Sequence, residues 1–173
     1  SIVARNVSPV DSAVISLCSM QAGDPAAYSV IPREARLVGT VRSFRPEVRD
    51  MIEEGVSRLG DSVAVAFGAT ASLHYRRAYP ATINSPAQAE FAADTAAALV
   101  GEDKVLRVLP PSMGAEDFSF MLQVKPGAYM RLGQGGGAFL HNSRYDFNDD
   151  VLPLGGALFA GLVEQSLPLA ASS

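Results

Sequence analysis

Apolar and polar positions along the first half of the chain switch between two spacings. From Ser12 to Gln21 (SAVISLCSMQ) apolar and small residues mix over a strand's length, and Ala22-Gly23-Asp24-Pro25 supplies turn chemistry that ends the run. Ala35 to Phe44 (ARLVGTVRSF) is a second predicted strand, rich in β-branched residues and partly alternating. The period then lengthens. Val48, Met51, Ile52, Val56, Leu59, Val63, Ala66 and Phe67 recur at helical spacing, between Pro46, which a first turn accepts, and Gly68 just past the end. An amphipathic helix with one buried stripe is the expectation. Ala69 to Tyr79 (ATASLHYRRAY) returns to alternation, with Ala71, Leu73 and Tyr75 on one side and Ser72, His74 and Arg76 on the other. Strand, strand, helix, strand predicts an α+β layer: one sheet with a helix on one face.

A boundary follows at Pro80 to Asn84. Ser85-Pro86-Ala87-Gln88 then reads as a helix start, with Ser85 as N-cap, Pro86 at the first helical position and Gln88 placed to reach back in a capping box. That helix runs through Phe91, Ala92, Ala96, Leu99 and Val100 to Gly101. Val105 to Leu109 is strand-like, a helix is expected near Phe118 to Leu122, and Ala128 to Leu132 makes a short strand before a glycine-rich loop. A last helix covers roughly Leu154 to Leu167. Alternating helices and short strands predict the closing portion of an α/β domain.

Composition narrows the class. Of 173 residues 48% are hydrophobic and 18% charged, enough for a packed core and unlike a disordered or fibrous chain. The net charge of -4 and a pI of about 5.1 argue against a phosphate-backbone binder. A single cysteine, Cys18, excludes an internal disulfide framework and a Cys-rich zinc module, and it fits a reducing, cytoplasmic compartment. No apolar run approaches the roughly 20 residues that span a bilayer, and no signal peptide is visible. The opening segment, SIVARNVSP, reads like the tail of a helix without its beginning, so a fragment or one piece of a cleaved chain is expected.

Few residues carry chemistry. His74 lies on the polar side of its alternating segment, where a surface or cross-strand histidine is the plain reading. His141 follows the Gly133-Gln134-Gly135-Gly136-Gly137 loop. There a neutral imidazole could ligate a metal, or it could hydrogen-bond Asp146 or a backbone carbonyl. The glycine run lacks the Lys-Ser/Thr of a phosphate loop and reads as a flexible or close-approach loop. Ser112-Met113-Gly114-Ala115-Glu116-Asp117-Phe118 places two carboxylates before a helix, either as a favourably charged N-terminus or as a loop lining a cleft. Arg42 on the second strand is an edge-strand arginine or a carboxylate clamp. Two carboxylates and one histidine do not complete a two-metal hydrolase, and no serine sits in a nucleophile elbow.

Taken in order, DSAVISLCSMQAGD, YSVIPREARLVGTVRSF, PEVRDMIEE, HYRRAYPATIN, MGAEDFSFML, KPGAYMRLG, LHNSRYDFND and LPLGGALF resemble the amidohydrolase, hippurate hydrolase and auxin-conjugate hydrolase family of zinc-dependent exopeptidases. The likeness covers nearly the whole chain. It implies an α/β with α+β fold in which residues 1–83 are most of a satellite, or dimerisation, domain of sheet plus helices, lacking its first strand and most of its first helix. Residues 84–173 would be the C-terminal portion of an α/β catalytic domain.

By the same resemblance His141 is the last metal ligand and Arg42 the satellite-domain arginine that holds the substrate's carboxylate. Gly114 and Glu116 match the GxEDF loop beside the cleft. Ser29 stands where relatives usually have Asn in an Asn-Val-Ile-Pro pattern, which puts one polar substrate contact in doubt. The implied activity is hydrolysis of the amide of an N-acyl amino acid, with two divalent ions (zinc, manganese, cobalt or nickel) in the complete enzyme. A glutamate there would move the proton of an activated water. The remaining ligands, that glutamate and a satellite histidine would belong to the N-terminal part of the same enzyme, so this portion alone is expected to be inactive. The implied partners are a small-molecule substrate and a second copy through the satellite domain, with no nucleic acid and no membrane. The alternatives are a non-catalytic dimerisation or binding module on the same fold, and hydrolysis of a dipeptide or carbamoyl amide.

Overall fold

The computed structural model of the chain describes residues 2–167, so Ser1 of the opening segment lies outside them. The chain is a mixed α/β protein that divides into two compact units. The first holds Ser1–Ala81 and Ser112–Ala115, and the second holds Thr82–Pro111 and Glu116–Ser173.

In the first unit a short helix, α1 (Ile2–Asn6), precedes an antiparallel pair, β1 (Ala13–Ala22) and β2 (Ala35–Ser43), and then α2 (Pro46–Ala66). The register runs from Ala13 opposite Ser43 to Ala22 opposite Ala35, and it slips once: Leu17 faces Gly39 while Ser19 faces Val38. Cys18 is the extra residue of this bulge. A Cβ at Gly39 would run into the carbonyl oxygen of Ser16, so the close backbone approach requires glycine there. Both helix ends follow their sequence signals. Pro46 starts α2, and past its end Gly68 adopts φ +67° while the N–H groups of Gly68 and Ala69 donate to the carbonyls of Val65 and Ala64, the paired bonds of a Schellman stop.

The core of this unit is Val7, Val48 and Ile52, with Ile2, Val3, Ala13, Val41, Met51 and Val56 packed around it. The buried stripe of α2 therefore covers only its first half. Leu59, Val63 and Phe67, expected on the same stripe, are exposed.

The segment Ala69–Tyr79 is not a strand, contrary to its alternation. A strand exists through its ladder, and neither β1 nor β2 pairs with this segment. Alternation still sets its faces. Ala71 lies over Gly60, and Arg77 reaches Asp50 at 2.8 Å and Glu53 at 2.6 Å, so the odd-numbered side faces α2. Burial and then the neighbouring Glu53 charge push the Tyr75 hydroxyl's pKa up.

In the second unit α3 (Pro86–Val100) packs on α5 (Leu152–Ser166), with α4 (Phe118–Val124) between them in sequence. Thr95, 3% exposed, sits at the crossing with its Oγ1 2.9 Å from both the Phe91 carbonyl and Gln165 Oε1. A Cβ at Gly161 would lie 3.2 Å from the Thr95 methyl, so a residue without one lets the helices approach. Val105–Leu109 and Ala128–Leu132, read as strands, have no ladder partner and are irregular. The capping box at Ser85 does not form either. Ser85 Oγ accepts instead from the Gly127 N–H at 3.2 Å, while the Ser85 N–H donates to the Gly127 carbonyl at 2.9 Å.

Candidate functional site

Arg42 is placed by β2, where it lies opposite Val14 in the ladder. The same unit contains Ser112–Ala115, and the Arg42 guanidinium donates through NH1 to the Met113 carbonyl. The Gly114 N–H donates in turn to Ser112 Oγ at 3.3 Å. Ser29 is exposed in the turn before β2, where the Val30 N–H closes onto the Ala27 carbonyl.

Glu116 lies in the second unit, just ahead of α4. Its carbonyl accepts from the Ser119 N–H at 3.2 Å and from the fully buried Ser119 hydroxyl at 2.6 Å. Asp117, the residue at the helix start, makes no side-chain cap bond. Burial, followed by the nearby Glu116 carboxylate, raises the pKa of the Tyr129 hydroxyl. Tyr129 is held from behind by Asn84, whose side chain accepts from the Tyr129 N–H at 2.8 Å and donates to its carbonyl at 3.0 Å. No periodicity in the sequence marks this clamp.

His141 is exposed on the loop after the glycine run, at φ +68°. It is the one non-glycine residue with positive φ among the described residues. A β-carbon makes that region costly, by roughly 1–2 kcal/mol, and such conformations persist where the surroundings over-determine them. The surroundings are visible. The Asn142 N–H donates to the Phe139 carbonyl and the Tyr145 N–H to the Asn142 carbonyl, while the Tyr145 hydroxyl reaches Gln134 Oε1 at 3.2 Å and Asn148 Nδ2 reaches the Gln134 carbonyl at 3.0 Å. The imidazole itself makes no hydrogen bond to Asp146 or to any other described residue. Gly137, Ala138, Phe139, Asn142 and Arg144 line an open depression beside it.

Among the described residues no three His, Cys, Asp or Glu side chains converge as a metal site needs. His74 is exposed.

The profile of Peptidase family M20/M25/M40 matches residues 7–165. The chain belongs to that family. This M20 chain is 34% identical over 162 residues to the hippurate hydrolase of Campylobacter jejuni, covering 94% of itself and 42% of that protein. It is 32% identical over 162 residues to the N-acetylcysteine deacetylase of Bacillus subtilis, covering 94% of itself and 41% of that protein. Among solved structures it resembles the Bacillus subtilis YXEP protein, described as a dinuclear metal binding peptidase from the M20 family. The TM-score is 0.71 at 29% identity, over 91% of this chain and 43% of that one. The M20 chain thus spans about two fifths of the length of the curated relatives it matches. No described helix is long and apolar enough to cross a membrane.

Proposed function

We propose that the chain is the C-terminal portion of a metal-dependent amidohydrolase that cleaves the amide of N-acyl amino acids. Its family membership over residues 7–165, with a hippurate hydrolase among its relatives, carries the reading. On this reading the first unit is most of a satellite domain through which two copies pair, and the second unit is the end of the catalytic domain. His141 would give one imidazole nitrogen to a divalent ion, with the other donors coming from residues outside these 173. A bound divalent ion supplies Lewis-acid polarisation and a more acidic water.

Arg42 would take the substrate's free carboxylate, because its fork of five N–H donors keeps a further edge beyond the donor given to Met113. Gly114 and Glu116 would line the cleft, and Ser29 would offer a hydroxyl where an amide is usual. Hydrolysis of hippurate by the intact protein, abolished by a chelator and restored by zinc, manganese, cobalt or nickel, is the expected result. An intact protein that holds no ion and hydrolyses no N-acyl amino acid would be a binding module instead.

A further inference from the structure

The Met113–Gly114 peptide group is held at both of its polar ends. Its carbonyl accepts from Arg42 on β2, and its N–H donates to Ser112 Oγ at 3.3 Å. A peptide group in a loop turns about its flanking dihedrals, and either bond alone would leave that rotation open. Two bonds on opposite edges fix the plane. One of the anchors is a strand residue, whose backbone is held in register opposite Val14, so the loop inherits the rigidity of the hairpin. The anchor is also cationic, which makes the bond to the carbonyl stronger than a neutral one. Met113 is half-buried, whereas Ser112 and Gly114 on either side of it are exposed.

We infer that Arg42 is a positioning residue for the Ser112–Ala115 loop, acting through the Met113 carbonyl, in addition to any contact it makes with substrate. This deepens the reading of Arg42 as the carboxylate clamp and rests on it. The guanidinium can serve both purposes because NH1 is engaged by the loop while Nε and NH2 form a separate edge that fits a carboxylate bidentately. Lysine would do this less well, since its three N–H donors rotate on one flexible ammonium instead of lying on two fixed edges. Capture of the carboxylate and orientation of the loop are then coupled through one planar group.

The test uses the intact protein and two substrates, an N-acyl amino acid and its neutral carboxamide analogue, with hydrogen exchange followed at the Gly114 amide. In Arg42→Ala and Arg42→Lys the amide is expected to exchange at least ~10-fold faster, because a local opening that was suppressed becomes accessible. The kcat for the carboxamide is expected to fall as well, although that substrate has no charge for Arg42 to bind. Ser112→Ala, which frees the other end of the same peptide group, is expected to speed exchange at Gly114 without raising the KM for the carboxylate substrate. If Gly114 exchange and the carboxamide kcat are unchanged in both Arg42 variants, the positioning role is overturned, even where the KM for the carboxylate substrate rises. If that KM does not rise, the clamp reading fails, and Gly114 exchange decides the positioning role separately.

Discussion

Asn84 grips the main chain of Tyr129 on both edges, while the Tyr129 ring lies 5.8 Å from that of Phe118. The Tyr129 hydroxyl is thereby placed within electrostatic reach of Glu116, thirteen positions earlier in the chain. The arrangement favours the protonated phenol, since both burial and the adjacent carboxylate disfavour a phenolate.

Alkaline stability should report this directly. Tyr129 and Tyr75 both have pKa values raised above the ordinary tyrosine value in the folded chain. A group with a raised folded pKa contributes stability that is fully present below its unfolded pKa and is lost as pH climbs through the folded one. The loss therefore falls above about pH 10. Tyr129→Phe and Tyr75→Phe are expected to flatten that limb of the melting-temperature profile, each by part of the wild-type slope. A wild-type profile with no decline above pH 10, or variants that steepen it, would contradict the assignment.

Arg107 gives the acid-side counterpart. It lies 2.7 Å from Glu102, 2.9 Å from Asp94 and 3.1 Å from Glu90, tying α3 to the turn that follows it. Its hydrogen bond holds the Glu102 carboxyl below the ordinary range, against a smaller opposing effect of burial. A depressed folded pKa contributes stability above the unfolded value that is lost as pH falls through the folded one. Arg107→Gln should thus melt lower than the wild type at pH 7 and low salt. The difference should shrink below about pH 4 and in about 1 M salt, where screening reaches across only about 3 Å. A difference that survives both conditions would mean that packing, not charge, is what Arg107 provides.

The α3–α5 crossing can be tested at one atom. Thr95→Val keeps the shape but removes the hydroxyl shared between the Phe91 carbonyl and Gln165. Phe91's carbonyl retains its helical partner and Gln165 is exposed, so little is left unsatisfied. A cost of about 1 kcal/mol by denaturant unfolding is expected, the net worth of one such bond. Gly161→Leu should cost more, because its side chain would enter space that the Thr95 methyl already fills.

These relationships differ in how far the sequence announces them. Pro46 and Gly68 bracket α2 because a missing N–H and a positive φ are local properties of single residues, and the helix follows them within a residue. Alternation over Ala69–Tyr79 correctly separates the side that faces α2, yet it cannot create a ladder, which needs a second backbone at hydrogen-bonding distance. The bulge at Cys18 is equally silent, since its cause is the approach of Gly39 from across the hairpin. Ser85 shows competition: the capping-box pattern is present, but a Gly127 N–H 42 residues away takes the hydroxyl. In the candidate site, residue types were legible and pairings were not. Nothing local in GTVRSF points Arg42 at Met113, 71 positions later.

His141 brings backbone and chemistry into opposition at one residue, and two substitutions separate them. The φ of +68° is strained for histidine and free for glycine, whereas alanine keeps the β-carbon that causes the strain. His141→Gly should therefore fold more stably than His141→Ala, by up to about 1 kcal/mol, after the greater entropy of an unfolded glycine has taken back part of the relief. Neither variant retains an imidazole. Both should lose bound divalent ion to the same extent in the intact protein, and both should lose hydrolysis of an N-acyl amino acid by at least ~100-fold, the scale set by losing metal-assisted acid–base chemistry. Equal stability of the two variants would mean that the loop relaxes without cost and that the conformation is incidental. Full metal content in either would show that the imidazole is not a ligand, and the strain at this loop would then need another explanation than catalysis.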